Sequence, residues 1–180
     1  IPDPTSGASA RPRTGPSDDP SVDTFKDGIW EVGEDIAPGT YRTLGAEGCY
    51  WSRLRRLTGR QRDVIVDENT AGPAIVTIKR RDVGFESARC RSWTSDLGRI
   101  TESRTEFGDG TYLVGVDIAA GVYRSRGKTP CYWERLRGFT GEKGDIIDNA
   151  IDTGRHTVTI RGSDKGFSSL GCGTWTRIRR

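Results

Sequence analysis

The sequence contains an internal repeat with an offset of 82 residues and no gaps, and this repeat constrains the fold more than any other feature. Residues 28–37 (GIWEVGEDIA) recur as residues 110–119 (GTYLVGVDIA), and residues 49–55 (CYWSRLR) recur as residues 131–137 (CYWERLR). A register kept over this length does not arise by chance, and it indicates two copies of one structural unit. Positions kept in both copies are expected to belong to the scaffold, whereas positions that differ are free to be specific.

The four cysteines follow the repeat. Cys49 and Cys90 are 41 residues apart, and so are Cys131 and Cys172. Four cysteines allow three pairings, but two copies of one domain favour a disulfide within each copy, Cys49–Cys90 and Cys131–Cys172. Closing a loop of this length stabilises a domain by roughly 4 kcal/mol in the chain-entropy model. A zinc site is not expected, because the chain has no CxxC pair and a single histidine.

Short apolar alternations are separated by Gly, Asp and Pro turn signals, which is typical of strands. In the first copy the predicted strands cover residues 29–32, 40–42, 49–54, 64–66, 74–79 and 85–93. No window shows the apolar period of a helix. The sequence therefore predicts an all-β protein made of two tandem homologous small domains of sandwich, jelly-roll or barrel type. Each internal disulfide would join the third strand to the last one.

The predicted organisation is an extended tail (1–24), a first β domain (25–97), a linker (98–106) and a second β domain (107–180). We call the two β domains domain 1 and domain 2. The tail holds five of the eight prolines, and Val22 is its only large apolar residue after Ile1. Such a segment has too little apolar surface to fold alone.

The tail is interpreted either as a spacer or as a docking peptide, since extended Pro-containing segments bind grooves at reduced entropic cost. In the docking interpretation, the contact residues are Ile1, Pro2, Asp3, Pro4, Thr5, Arg11 and Arg13.

An oxidising, extracellular location follows from paired cysteines in small domains. The chain begins at Ile1 rather than Met, which is expected of a mature chain after removal of an export signal. No apolar run approaches the roughly 20 residues that span a bilayer. The net charge of +3 is too small to favour a nucleic-acid partner.

A catalytic set is not apparent, so the chain is expected not to be an enzyme and to need no cofactor. The single histidine, His156, has Ala74 as its counterpart. All four cysteines are assigned to disulfides, which leaves no thiolate nucleophile. The duplicated acids are Asp27/Asp109, Asp35/Asp117, Asp63/Asp145 and Asp82/Asp164. Nearly all of them lie next to a glycine or a turn, where aspartate binds backbone amides.

Aromatic and arginine residues remain as binding candidates. The aromatic residues Tyr50, Trp51, Tyr132, Trp133, Trp30, Trp93 and Trp175 form either the cores of the two domains or a sugar-stacking platform on each. The arginines Arg53, Arg55, Arg135 and Arg137 are predicted to form a partner-facing patch. Arg60-Gln61-Arg62 differs from its counterpart Glu142-Lys143-Gly144, so this triplet is free to be specific.

The duplicated motifs Gly-x-Tyr-Arg, Cys-Tyr-Trp-x-Arg-Leu, Asp-x-Gly-Phe and Cys-x-x-Trp resemble those of small exported proteins of high-GC Gram-positive bacteria such as Streptomyces. The whole arrangement resembles the adaptor subunit of Streptomyces umbrella toxin particles, which are secreted antibacterial assemblies. That resemblance implies an adaptor that links a toxin subunit to lectin-type subunits, with glycans contacted only indirectly. By the same resemblance, Ile1 to about Pro16 would dock in a groove of the lectin-bearing partner while the two domains hold the toxin subunit.

The sequence thus favours a secreted, non-enzymatic adaptor within an extracellular protein complex. Two other functions stay open. One is a carbohydrate or cell-wall binding module, in which Trp51 and Trp133 would be exposed. The other is a small hydrolase or protease inhibitor.

Overall fold

The computed structural model describes residues 22–45, 47–127 and 130–179. Domain 1 contains strands β1 (Thr24–Glu31), β2 (Gly39–Thr43), β3 (Cys49–Leu54), β4 (Val64–Thr70), β5 (Ala74–Ile78) and β6 (Gly84–Thr94). Domain 2 contains β7 (Glu106–Phe107), β8 (Gly110–Leu113), β9 (Gly121–Ser125), β10 (Cys131–Leu136), β11 (Ile146–Asp152), β12 (Thr157–Ile160), β13 (Gly166–Leu170) and β14 (Trp175–Arg179). Within the described ranges the only helices are two 3-10 turns, Gln61–Asp63 and Lys143–Asp145. The all-β prediction is confirmed.

The proposed tail contacts Ile1, Pro2, Asp3, Pro4, Thr5, Arg11 and Arg13 lie outside the described residues.

Domain 2 is a sandwich of two four-stranded antiparallel sheets, with strand orders β11-β10-β13-β8 and β12-β9-β14-β7. In domain 1 two long strands serve both sheets: β6 takes the place of β13 and β14, and β1 takes the place of β7 and β8. A β-bulge between Lys26 and Gly28 lets β1 bend from one sheet into the other. The sandwich-like prediction is therefore confirmed for both copies.

The strand β6 crosses between the sheets at a strained point. Arg89 and Arg91 adopt φ angles of 61° and 76°, in the left-handed region that disfavours side chains. Their counterparts in domain 2 are Gly171 and Gly173, with φ angles of 76° and 73°. Asp27 stabilises this crossing, because its carboxylate accepts the backbone N–H groups of the two residues that follow Arg89, at 3.1 and 2.8 Å.

Disulfides and aromatic rings fill the cores. The bonds Cys49–Cys90 and Cys131–Cys172 confirm the predicted pairing, and all four cysteines are buried. The core aromatic residues include Trp51, Trp93, Trp133 and Trp175, all buried, and Trp30, which is partly buried. Core packing is therefore the correct interpretation of these tryptophans.

A buried ion pair lies in each core. Arg53 Nε and Nη2 donate to the carboxylate of Asp82 at 2.7 and 2.9 Å, and Arg135 binds Asp164 in the same way at 2.8 Å through both nitrogens. Each aspartate also accepts a hydrogen bond from the backbone N–H three residues before it, at 2.7 and 2.8 Å. This bond stabilises the turn that precedes the next strand. The expectation that Arg53 and Arg135 lie on an exposed partner-facing patch is wrong, because both are buried. Arg135 is held by Asp164, and Arg53 lies between Asp82 and the Thr140 carbonyl of domain 2.

Candidate protein-binding face

Domain 2 covers the open edge of domain 1. The strand β5 lies at the edge of its sheet, where one row of backbone groups has no neighbouring strand. The Thr77 N–H donates to the Phe139 carbonyl at 2.7 Å, and the Thr111 N–H donates to the Pro73 carbonyl at 2.7 Å. We call this contact the domain joint.

Apolar side chains pack across the domain joint. Ile75, from β5, and Leu136 and Phe139, from domain 2, form a buried cluster, with Leu113 and Ile146 partly buried beside it. Ile75 retains only 3% of its surface exposed. The outward side of the edge strand is thus an apolar contact surface for the neighbouring domain.

Ion pairs complete the domain joint. The Glu142 carboxylate accepts from Lys79 Nζ at 2.7 Å and from Arg53 Nη1 at 3.1 Å. The hydrogen bond from Lys79 contributes most to lowering the pKa of Glu142, and the hydrogen bond from Arg53 and the charges of both cations lower it further. Arg42 and Asp117 form a second, almost fully buried pair with an Nη2–Oδ2 distance of 2.5 Å. Buried pairs of this kind fix geometry, because separating them leaves unpaired charges in a poorly solvated site.

A tight turn of domain 2 lies against the strands of domain 1. Gly141 has φ of +72°, and a Cβ there would lie 2.9 Å from Trp51 and 3.0 Å from Val66. Glu68, from domain 1, and Glu134, from domain 2, line one cavity beside this turn. Burial, followed by the charges of Glu134 and Asp67, raises the pKa of Glu68 to about 8.

The same set of positions recurs on domain 1, where two of the apolar side chains are exposed. The repeat places Ile29, Leu54, Leu57 and Val64 at the positions of Thr111, Leu136, Phe139 and Ile146. We call these four residues of domain 1, with the flanking arginines Arg56 and Arg60, the Leu57 face. Ile29 is 62% exposed and Leu57 is 42% exposed. A groove of about 180 Å³ runs between them.

The loop that carries Leu57 is held in the same shape as its counterpart in the domain joint. Leu57 lies over Gly84, where a Cβ would be only 2.3 Å from its Cδ2, and Phe139 lies in the same way over Gly166. The Thr58 hydroxyl donates to the Asp63 carboxylate, and this hydrogen bond lowers the pKa of Asp63. The loop of the Leu57 face therefore keeps the contacts that shape its counterpart in the domain joint.

The Leu57 face is more basic than the surface it resembles. Arg56, Arg60 and Arg62 are exposed, and they stand where domain 2 has Gly138, Glu142 and Gly144. At position 60 the charge is opposite to that of Glu142, which binds domain 1. The two copies thus present one shape with different electrostatics.

The remaining predicted residues divide by exposure. Trp51 and Trp133 are buried, so the alternative interpretation as an exposed sugar platform is wrong. His156 Nδ1 accepts a hydrogen bond from the Trp133 indole at 3.2 Å, which gives this histidine a packing role. Arg55 and Arg137 are exposed, and their contact with a partner stays a prediction.

Sequence reasoning missed Ile29 and Leu57. The signal available was a comparison of the two copies: Leu57 matches Phe139, and both are large apolar residues in a loop between charged neighbours. The comparison did mark Arg60-Gln61-Arg62 as a triplet that differs between the copies, and Arg60 lies at the basic end of the Leu57 face.

Fold and disulfides define the chain as a tandem β-sandwich protein of the extracellular type. A family model, the Rv1352-like extracellular domain, matches residues 23–94 and again residues 104–176, and the chain belongs to this family. Family and disulfides together make the protein secreted and extracellular.

Curated relatives come from mycobacteria. The uncharacterized protein Rv1352 of Mycobacterium tuberculosis and the uncharacterized protein Mb1387 of Mycobacterium bovis are each 35% identical to this chain over 82 residues. The match covers 37% of this chain and 66% of each relative, so just under two thirds of their length is spanned. No solved structure gives a significant match. Among residues 22–45, 47–127 and 130–179 there is no helix with the length and apolar character of a membrane span.

Proposed function

We propose that this protein is a non-enzymatic extracellular adaptor that binds other secreted proteins. The observation that carries the proposal is the Leu57 face: the positions with which domain 2 binds domain 1 recur on domain 1, where Ile29 and Leu57 are exposed. Because the equivalent surface of domain 2 binds the edge strand of a β-sandwich, the Leu57 face is suited to bind an edge strand of another protein.

The energetics of the Leu57 face support binding. Exposed apolar side chains rimmed by charged groups are typical of protein-interaction sites. Arginine is enriched at the energetically important positions of such sites, since it combines apolar stem, charge and several donors. Because the loop from Leu57 to Asp63 is held by its own hydrogen bond and by contact with Gly84, little ordering entropy is lost on binding.

The domain joint gives the adaptor a fixed geometry. The buried pair between Arg42 and Asp117 and the cluster around Ile75 hold the two domains together. A rigid pair of domains presents the Leu57 face at a constant position relative to domain 2, as a linking subunit requires.

The finer proposal adds the tail. Residues 1–24 would dock in a groove of a second partner, so that the chain links two subunits of one particle. This role in an umbrella-type antibacterial particle rests on the resemblance of the whole arrangement, tail and two domains, to the Streptomyces adaptor.

The test is affinity purification from the culture supernatant of the producing bacterium, followed by reconstitution with each purified partner. The baits are the full chain, a variant beginning at Ser21, and the variant Leu57→Asp. We expect the full chain to retain identified secreted proteins, the truncated chain to lose one of them, and Leu57→Asp to lose another. If all three baits purify alone, the adaptor proposal is wrong.

A further inference from the structure

We infer that the Leu57 face binds the exposed edge strand of a partner protein that carries an apolar residue flanked by carboxylates. The inference rests on the proposed function and names the chemistry of the partner. The equivalent surface of domain 2 binds an edge strand, β5, within this same chain.

The backbone component follows from the domain joint. There the Phe139 carbonyl accepts an N–H from the edge strand β5, and the Thr111 N–H donates to a carbonyl at the start of that strand. By the repeat, the Leu57 carbonyl and the Ile29 N–H take these two positions on domain 1. An extended segment with an open edge satisfies both groups, as in recognition by strand addition.

The apolar component follows from Ile75. This side chain enters the cluster formed by Leu136 and Phe139 and is almost fully buried there. Leu54 and Leu57 occupy the equivalent positions, and Ile29 replaces a threonine, which enlarges the apolar surface. The partner strand is therefore expected to present a branched aliphatic side chain at the position of Ile75.

The charge component distinguishes the partner from domain 1 itself. In the domain joint Glu142 accepts from Lys79 at 2.7 Å, and Arg81 lies 3.6 Å away. On the Leu57 face the residue at this position is Arg60, and Arg56 stands beside it. Because Arg60 replaces the glutamate, the partner strand is expected to carry carboxylates at the positions that Lys79 and Arg81 occupy after β5.

A second copy of this chain is a poor occupant. Its equivalent open edge is β12, which offers Thr157 in place of Ile75 and Arg161 in place of Lys79. Arg60 of one copy would then face Arg161 and the Arg135 Nη1 of the next, and like charges at this distance repel. One favourable contact would persist, between the exposed Arg124 and Asp35, the counterparts of Arg42 and Asp117.

The first test uses two fluorescein-labelled peptides that reproduce residues 72–82. One has the natural sequence, and the other carries K79E and R81E. In the full chain β5 already covers the equivalent surface around Phe139. The peptides can therefore bind in this way only at the Leu57 face. Fluorescence anisotropy at low ionic strength should show the charge-inverted peptide binding about fivefold more tightly than the natural one.

Two variants of the full chain locate the effect. Arg60→Glu should reverse the preference between the peptides, and Leu57→Asp should abolish binding of both. Equal binding of the two peptides to the unmodified chain, or an unchanged preference in Arg60→Glu, would overturn the charge argument. Full binding by Leu57→Asp would overturn the assignment of the face.

The second test redesigns the chain so that β12 of one copy can bind the Leu57 face of another. The double substitution R60E and T157I gives the Leu57 face the charge of Glu142 and gives β12 the apolar residue of β5. We expect this variant to associate head to tail in sedimentation, while the unmodified chain and the triple variant with L57D remain monomeric. A monomeric double variant together with no peptide binding, or self-association of the unmodified chain through this face, contradicts the inference. If the pull-downs retain partners that Leu57→Asp does not lose, the adaptor proposal stands and this inference alone fails.

Discussion

Truncating Phe139 and truncating Leu57 should have very different effects on stability, although the two residues are equivalent in the repeat. Phe139 is 8% exposed and packs against Ile75 across the domain joint. Removal of a buried phenylalanine side chain costs about 3–5 kcal/mol, through lost transfer free energy and the remaining cavity. Leu57 is 42% exposed, so Leu57→Ala should cost about 1 kcal/mol or less.

Urea denaturation monitored by tryptophan fluorescence measures both costs. Phe139→Ala should lower the midpoint strongly and should separate the unfolding of the two domains into two transitions, because the domain joint couples them. Leu57→Ala should leave one transition near that of the unmodified chain. Equal destabilisation by the two substitutions, or a single unshifted transition for Phe139→Ala, would refute the assignment of Phe139 to the domain joint.

Three further perturbations test other parts of the structure. Asp82→Ala leaves the buried guanidinium of Arg53 without its partner and should cost about 3–5 kcal/mol in chemical denaturation, whereas replacement of an exposed aspartate should be nearly neutral. Burial and neighbouring carboxylates raise the pKa of Glu68 from 4.5 to about 8, so its contribution to stability is complete below about pH 4.5 and is lost as the pH rises through 8. Glu68→Gln should therefore increase the free energy of unfolding at pH 8 by roughly 1–3 kcal/mol more than at pH 4.5, which a higher melting temperature at pH 8 reports. Equal changes at both pH values would contradict this. Arg89→Gly should stabilise domain 1 by about 1 kcal/mol, since Gly171 is the equivalent residue at the same left-handed φ, and a lower melting temperature would count against strain at that residue.

The repeat made much of the fold predictable. Turn signals and strand alternation are local, so the prediction of strands at residues 49–54 and 74–79 matched β3 and β5 within one residue. The predicted strand at residues 29–32 began too late, because β1 starts at Thr24 and continues through a bulge that no local pattern marks. The disulfides were predictable because each copy holds only two cysteines.

The fate of the arginines was harder to predict. Cys49, Trp51 and Arg53 alternate along β3, and all three side chains are buried. The charge of Arg53 nevertheless suggested an exposed site, because its partner Asp82 is 29 residues away in the chain. A buried ion pair between distant residues leaves no periodic signal.

The candidate site depended on three-dimensional contact between the copies. Sequence comparison showed that Arg60 and Glu142 differ, but it could not show that Glu142 binds domain 1. Only the domain joint reveals that Leu57 stands where Phe139 makes a protein contact.

The adaptor proposal requires that the Leu57 face of domain 1 contacts another secreted protein. Its most direct test replaces Leu57 in the full chain with the photo-crosslinking residue p-benzoylphenylalanine and irradiates the protein in culture supernatant. The matched control carries the same residue at Ile151, which is 71% exposed and lies outside the face. We expect the Leu57 position to crosslink one extended segment, identified by mass spectrometry, with a branched aliphatic residue flanked by carboxylates, and the Ile151 position to give none. Absence of a crosslink at Leu57, or the same products from both positions, would contradict the account.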